Sequence, residues 1–251
     1  LADGIDINDL NVIPNDGMSP YLVIKVNGVR IFCRGGNWGM DDMMKDVSRE
    51  HLEPYLILHK EAGFNMIRNW TGASTSEMLY DLCDEYGFYV MDECDLETHG
   101  VRRKNVPGDN PMWTKAVVDR MERMVLRDRN HACVFMWSLG NEAGDGSNFS
   151  EMKKAALKLD NTRQFHYEGD FNFTKSDVIS RMYPVEAAMK KLCNKEPIEI
   201  TLYDNIANAL AADSKPIKKE DYCRPILLCE YAHSMENSLG KSKSCVPNSR
   251  Y

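Results

Sequence analysis

Short apolar runs alternate along the chain with longer stretches whose apolar residues recur every three or four positions. "VRIFCRGGNW" (29–38) reads as a strand. "SREHLEPYLILHKEAGF" (48–64) follows as a helix with Leu52, Tyr55, Leu56 and His59 on one face, and Pro54 should kink it or delay its start. "NMIRNW" is a second strand; "SEMLYDLCDEYG" is a helix capped by Ser76 and stopped at Gly87. "FYVMDECDLE" makes a third strand, and "TKAVVDRMERMVLRD" a helix with Val117, Val118, Met121, Met124 and Val125 on its inner stripe. "VFMWSLGNEAGDG" (134–146) opens as a fourth strand, followed by a helix burying Phe149, Met152, Ala156 and Leu159. "FHYEGD", "DVISRMY" and "PILLCEY" supply three more strands.

Strands alternating with helices at this spacing imply parallel βα units, and seven in succession favour a closed barrel over an open sheet. The predicted fold is therefore α/β, a (β/α)8 TIM-type barrel apparently lacking its eighth βα unit. Residues 1–28 read as a lead-in from an upstream β-domain, with a hairpin in "YLVIKVNGVRIF" turning at Asn27-Gly28. The catalytic barrel spans 29–240, and 241–251 form a polar, unstructured tail too short for another βα unit. An unfilled eighth position would leave strand edges open, so self-association and weak activity are expected of the chain alone.

Composition narrows the partners. A formal net charge of −7 argues against nucleic-acid binding, which needs a basic face. No apolar run approaches the roughly 20 residues of a membrane span. The 8 cysteines form no C-x-x-C pair and several sit in apolar runs, so buried free thiols, and with them a cytoplasmic setting, are the expectation. A periplasmic or secreted location stays open, as does a homo-oligomer.

In such barrels the reacting groups stand at the C-terminal ends of the strands. Those positions hold Asn37 and Trp38, Asn69 and Trp70, Glu97 and His99, Asn141 and Glu142, Glu168 and Asp170, Tyr183, and Glu230 and His233. Aromatic, amide and carboxylate groups together suit a sugar ring. Glu142 and Glu230, on the fourth and seventh strands, face across one mouth; two carboxyls brought to about 5–5.5 Å suit a retaining glycosidase. The alternative for each is a strand-end ion pair or cap.

The stretches "DECDLETHG", "RDRNHACVFMWSLGNEAGDG", "HYEGD", "MYP" and "PILLCEYAHSMENSLG" resemble the catalytic barrel of bacterial β-galactosidases in glycoside hydrolase family 2, over about residues 85–240. The resemblance implies a retaining exo-glycosidase that hydrolyses terminal non-reducing β-D-galactosides by double displacement. Glu142 would be its acid/base and Glu230 its nucleophile. It also implies Mg2+ held by Glu97, His99 and Glu142, where a plain hydrogen-bonded Glu97–His99 pair is the alternative. Asn141 would contact the sugar hydroxyl beside the reacting carbon, Tyr183 would hydrogen-bond the nucleophile and His233 would bind the sugar, with a tyrosine or histidine serving only the fold as the alternative for the last two. "VNGVRIFCRGGNWGMDD" and "HKEAGFNMIRNWTG" are instead similar to family 2 exo-β-glucosaminidases and β-mannosidases. That likeness puts Asn37, Trp38, Asn69 and Trp70 at the sugar, against rim packing for the two tryptophans. It keeps a β-glucosaminide or β-mannoside open as substrate, and a catalytically silent or carbohydrate-binding barrel remains a reading of another class.

Overall fold

A computed structural model describes residues 6–7, 24–39, 47–72, 76–98, 107–199 and 216–232. The tail at 241–251 lies outside them, as do His99 and His233.

The chain begins with β1 (Asp6–Ile7), β2 (Ile24–Val26) and β3 (Val29–Ile31), an antiparallel sheet in that order. Asn27 and Gly28 have φ of 50° and 79°, the left-handed pair that a two-residue hairpin turn requires. The run 29–38 is thus two strands rather than one. Val29–Ile31 belongs to the hairpin, and β4 (Gly35–Trp38) opens the barrel. Asn65 clamps the joint: its Oδ1 accepts from the Arg34 N–H and its Nδ2 donates to the Phe32 carbonyl. Gly35 has no alternative there, because a Cβ would fall 2.0 Å from the Met66 carbonyl oxygen.

From β4 the order is α1 (Arg49–Glu61), β5 (Met66–Asn69), α2 (Glu77–Tyr86), β6 (Tyr89–Glu93), α3 (Pro111–Asp128), β7 (Val134–Ser138), α4 (Ser147–Leu159), β8 (Gln164–His166), β9 (Ile179–Met182), α5 (Glu186–Asn194) and β10 (Ile226–Glu230). Strands β4 to β8 form one parallel sheet in chain order, β9 and β10 pair in parallel, and β10 packs against β4. Between β8 and β9 a loop replaces the helix, folded on Asp170, which accepts the Lys175 and Ser176 N–H groups at 2.6 and 2.8 Å.

Several helices differ from the pattern reading. α1 begins at Arg49, ahead of Pro54, and runs through it; Leu52 and Leu56 are buried while Tyr55 faces solvent. α3 begins at Pro111 rather than Thr114, because Asn110 accepts the Met112 N–H and Pro111 needs no donor at the first position. α2 ends as expected on left-handed Gly87, but the Ser76 side chain does not cap its start. No helix among the described residues is long and apolar enough to cross a membrane.

Two apolar layers result. The larger, between helices and sheet, holds Leu52, Leu56, Leu79, Leu82, Val117, Met121, Val125, Trp137 and Phe149. The smaller fills the barrel floor with Met91, Phe135, Met136 and Val178, and Ile24 of the hairpin packs into it. The β6–β7 register slips by one residue between Val90 and Met91, so Phe135 is an extra residue on β7 and both Phe135 and Met136 reach the inner layer. Beyond that bulge Trp137 turns to the helices and Ser138 to the interior.

Trp137 donates from Nε1 to Asp160 at 2.9 Å. Asp160 also accepts from the Thr162 N–H and hydroxyl and from Arg163. Burial alone would raise its carboxyl, but these donors outweigh it and hold the group down at about 2. A depressed carboxyl stabilises the fold above its unfolded pKa and loses that contribution as pH falls through the folded one. Asp160→Asn should therefore cost about 2 kcal/mol at pH 7. Urea unfolding of both proteins should show the gap closing between about pH 4 and pH 2.

Candidate active site

At the C-terminal ends of the strands the interior turns polar, one residue per strand. Arg68 on β5, Glu93 on β6, Ser138 on β7, His166 on β8 and Ser180 on β9 are all buried. Arg68 donates Nε and Nη2 to Glu93 Oε2 at 2.8 and 2.6 Å. The Ser138 hydroxyl donates to the same oxygen at 2.7 Å, and the Thr71 N–H donates to Oε1 at 2.8 Å. Every contact to Glu93 comes from a donor, so the ionised form is the one that fits. Burial raises its pKa, with Arg68 the main opposing influence. Since Ser138 spends its proton on Glu93, it accepts from His166 Nδ1 at 2.8 Å, and Nε2 accepts from Ser180 at 2.9 Å. Burial, then the Arg68 charge, drives the His166 pKa well below its usual value, so the ring is neutral.

Arg68 closes this belt onto β10. Its Nη1 donates to Glu230 Oε1 at 2.7 Å, and its Nη2 to Asn141 Oδ1 at 2.8 Å. Burial works against the guanidinium charge, but Glu93, Glu230 and Glu168 together raise its pKa. The second Glu230 oxygen accepts from the Tyr183 hydroxyl. Tyr183 sits at φ 49° immediately after β9, and its N–H donates to the Glu230 carbonyl at 2.7 Å. A second register shift, between Leu228 and Glu230, sets the β10 carboxylate opposite Met182.

The other carboxylate group follows β7. Gly140, at φ 151°, lets the chain pass Leu96, whose carbonyl oxygen would lie 2.8 Å from any Cβ there. Asn141 then pairs with Glu97: the two form a parallel bridge, and Asn141 Nδ2 donates to Glu97 Oε2. Glu142 is 7% exposed and sits at φ 44°, a left-handed conformation uncommon for a residue with a side chain. Its N–H donates to Glu168 Oε1 at 2.5 Å. Burial, reinforced by Glu93 and Glu142 and opposed by Arg68, pushes the Glu168 carboxyl up to about 8.

The structure thus joins Asn141, Glu97, Glu230 and Tyr183 through Arg68, and Glu142 is the residue after Asn141. It does not bring every expected residue there. Trp38 is buried in the helix layer with Leu52 and Leu56, its ring 5.8 Å from that of His59. Asn69 donates to the Tyr80 hydroxyl and Asp92 between sheet and helices, so its amide is not at the mouth. Both follow from the period of a strand: Arg68 faces inward, so Asn69 and its register partner Trp38 face outward. Asn37 pairs in register with Arg68, shares its face and is exposed. Trp70 is half-buried, with its indole N–H unpaired among the described residues.

Strand ends read from the sequence do not pick out Arg68, Glu93, Ser138, His166 and Ser180. Charges inside the apolar runs "NMIRNW" and "VMDEC" were the available signal, because a buried charge needs a partner. Elsewhere, Asp84, His131 and Cys133 bring donor atoms close enough to suggest a metal site. Both Asp84 oxygens are already committed there, to the Cys133 N–H and to His131 Nδ1, and the Cys133 thiol donates to the Tyr80 carbonyl. That group closes the loop before β7. Among the described residues six cysteines are free thiols, Cys193 exposed and Cys83, Cys94 and Cys133 buried.

Removing Arg68 should therefore damage both fold and site. Arg68→Met keeps the bulk but strands Glu93 and Glu230 as buried charges, which should cost about 3–5 kcal/mol in urea unfolding. Arg68→Lys should recover only part of this, since a point charge cannot bridge both carboxylates and Asn141.

Comparison with known proteins fits this geometry. The family model for glycosyl hydrolases family 2, TIM barrel domain, matches residues 22–247. A β-galactosidase of Pectobacterium atrosepticum is 38% identical over 95% of this chain and 21% of its own length. One of Priestia megaterium is 35% identical over 87% of the chain and 20% of its own. The chain thus spans about a fifth of the curated relatives it matches. Among solved structures, a β-D-mannosidase from Dictyoglomus thermophilum superposes with a TM-score of 0.50 at 25% identity, over 67% of this chain and 22% of its own. A Parabacteroides merdae β-glucuronidase superposes at 0.54 with 24% identity, over 69% and 23%, a likeness of fold.

Proposed function

The chain belongs to glycosyl hydrolase family 2, and from that premise we propose that it hydrolyses terminal non-reducing β-glycosides with retention, by double displacement. The observation that carries this is the environment of Glu230. Arg68 and Tyr183 each donate to a different oxygen, which orients the carboxylate for attack on an anomeric carbon. Glu142, next to the Asn141 that shares the same guanidinium, is the acid/base that protonates the leaving oxygen and later activates water.

β-D-Galactoside is the proposed substrate. The most similar relatives named above are β-galactosidases, and Trp38 and Asn69, two of the residues that suggested another sugar, face the helix layer. A β-mannoside is the second reading, favoured by the mannosidase superposition.

The donor set at Glu97 and Glu142 suits Mg2+, a hard cation that takes carboxylate oxygens and retains waters. The Glu97–Asn141 bridge holds Glu97 against the residue that precedes Glu142, while the third proposed ligand, His99, lies outside the described residues. The cation would supply positive charge beside Glu142 and favour its ionised form.

Glu230→Gln should lose roughly 10⁴-fold or more in turnover on every substrate. Glu142→Gln should lose about 10²–10⁴-fold on alkyl glycosides and far less on activated aryl glycosides. Equal losses on both would remove Glu142 from the acid role, and a panel of nitrophenyl glycosides identifies the sugar. EDTA should lower turnover and move the limb of the pH profile set by Glu142 as acid, the alkaline one, upward, and added Mg2+ should reverse both. An unchanged profile would take the metal out of the proposal.

A further inference from the structure

The segment after β8 does more than continue the barrel, and it contacts the chain at the acid/base rather than the sugar. Glu168 Oε1 takes the Glu142 N–H at 2.5 Å, and the Tyr167 hydroxyl takes the Ala143 N–H at 3.2 Å while donating to the Gly144 carbonyl. Three consecutive residues of one loop are thus held by two consecutive residues of the next. Tyr167 is itself fixed, its ring stacked on Phe149 of α4 with centroids 4.4 Å apart. Glycine is required behind it, because a Cβ at Gly169 would come within 2.8 Å of the Tyr167 ring.

The loop so held has a reason to move otherwise. Glu142 carries φ 44°, and a residue with a Cβ leaves that region when nothing constrains it. A relaxed φ would swing the Cα–Cβ bond and carry the carboxyl with it. Glu168 is an odd choice for a merely structural acceptor. It is buried, and its Oε2 has no hydrogen-bond partner among the described residues. A group chosen for stability would have left no buried oxygen unpaired.

We propose that Glu168 is a positioning residue for the proposed reaction: by accepting the Glu142 N–H it holds Glu142 in its left-handed conformation and so aims the acid/base carboxyl. Tyr167 steadies the two residues that follow. The inference rests on the acid/base reading of Glu142, and goes beyond it by assigning the aim of that carboxyl to a residue of the next loop.

The test compares Glu168→Leu, Glu168→Gln and Glu142→Gln in the purified protein, on an alkyl and an activated aryl glycoside, with and without azide. Azide attacks the anomeric carbon of the glycosyl-enzyme and releases Glu230 as carboxylate, so it needs no general base. Glu168→Leu should lose about 10–100-fold in kcat on the alkyl glycoside, with KM little changed, because a small misplacement of a catalytic group suffices for that loss. On the activated substrate its turnover should rise with azide and yield the β-glycosyl azide. Glu168→Gln keeps an acceptor oxygen and should stay within about threefold of the parent.

Equal losses on both substrates without azide rescue, or a leucine variant as active as the parent, would overturn the proposal. If Glu142→Gln shows azide rescue and Glu168→Leu does not, only the positioning role falls. If neither responds, the acid/base reading falls and takes this inference with it. Should the leucine variant not fold, Glu168→Met lacks the acceptor equally and carries the same comparison.

Discussion

A guanidinium buried between strands, with three acceptors around it, is the constraint on which the mouth of this barrel is built. Arg68 is 1% exposed, so its charge is tolerable only while Glu93, Glu230 and Asn141 stay in place. Those partners come from β6, β10 and the loop after β7. One side chain on β5 thereby ties β6, β10 and the loop after β7 together. Glu93 passes the same requirement on through Ser138 to His166 and Ser180, so the belt is satisfied as a whole.

The backbone bends to serve that belt. Register shifts on β7 and β10 re-aim Ser138 and Glu230, and left-handed residues stand at three strand ends, Thr71, Glu142 and Tyr183. Thr71 gives its N–H to Glu93, Glu142 to Glu168 and Tyr183 to Glu230. Each unusual conformation is therefore held by a hydrogen bond to a carboxylate or to the residue that carries one. Local strain concentrated where side chains must converge is what a pre-organised site requires, and the apolar layers outside supply the stability to hold it. Asp160 shows the same division of labour outside the site, locking Trp137 so that the next residue faces inward.

The amino-acid sequence by itself determined the alternation of strands and helices, the hairpin at Asn27-Gly28, and the placement of Glu142 and Glu230 at strand ends. These are local properties: apolar periodicity and turn residues act over a few positions, and a strand end is visible where an apolar run stops. It also shows that Arg68 and Asn69 are neighbours on one strand and cannot both face the mouth. Only the tertiary structure decided which of the two does. Arg68 meets Glu230 across 162 residues of chain, a pairing that no local pattern encodes. The bulges that turn Ser138 and Glu230 inward depend on how neighbouring strands pair, and a one-residue slip reverses every side chain beyond it. Direction in a barrel is a property of the closed sheet rather than of any strand, which is why the residues were legible and the belt that joins them was not.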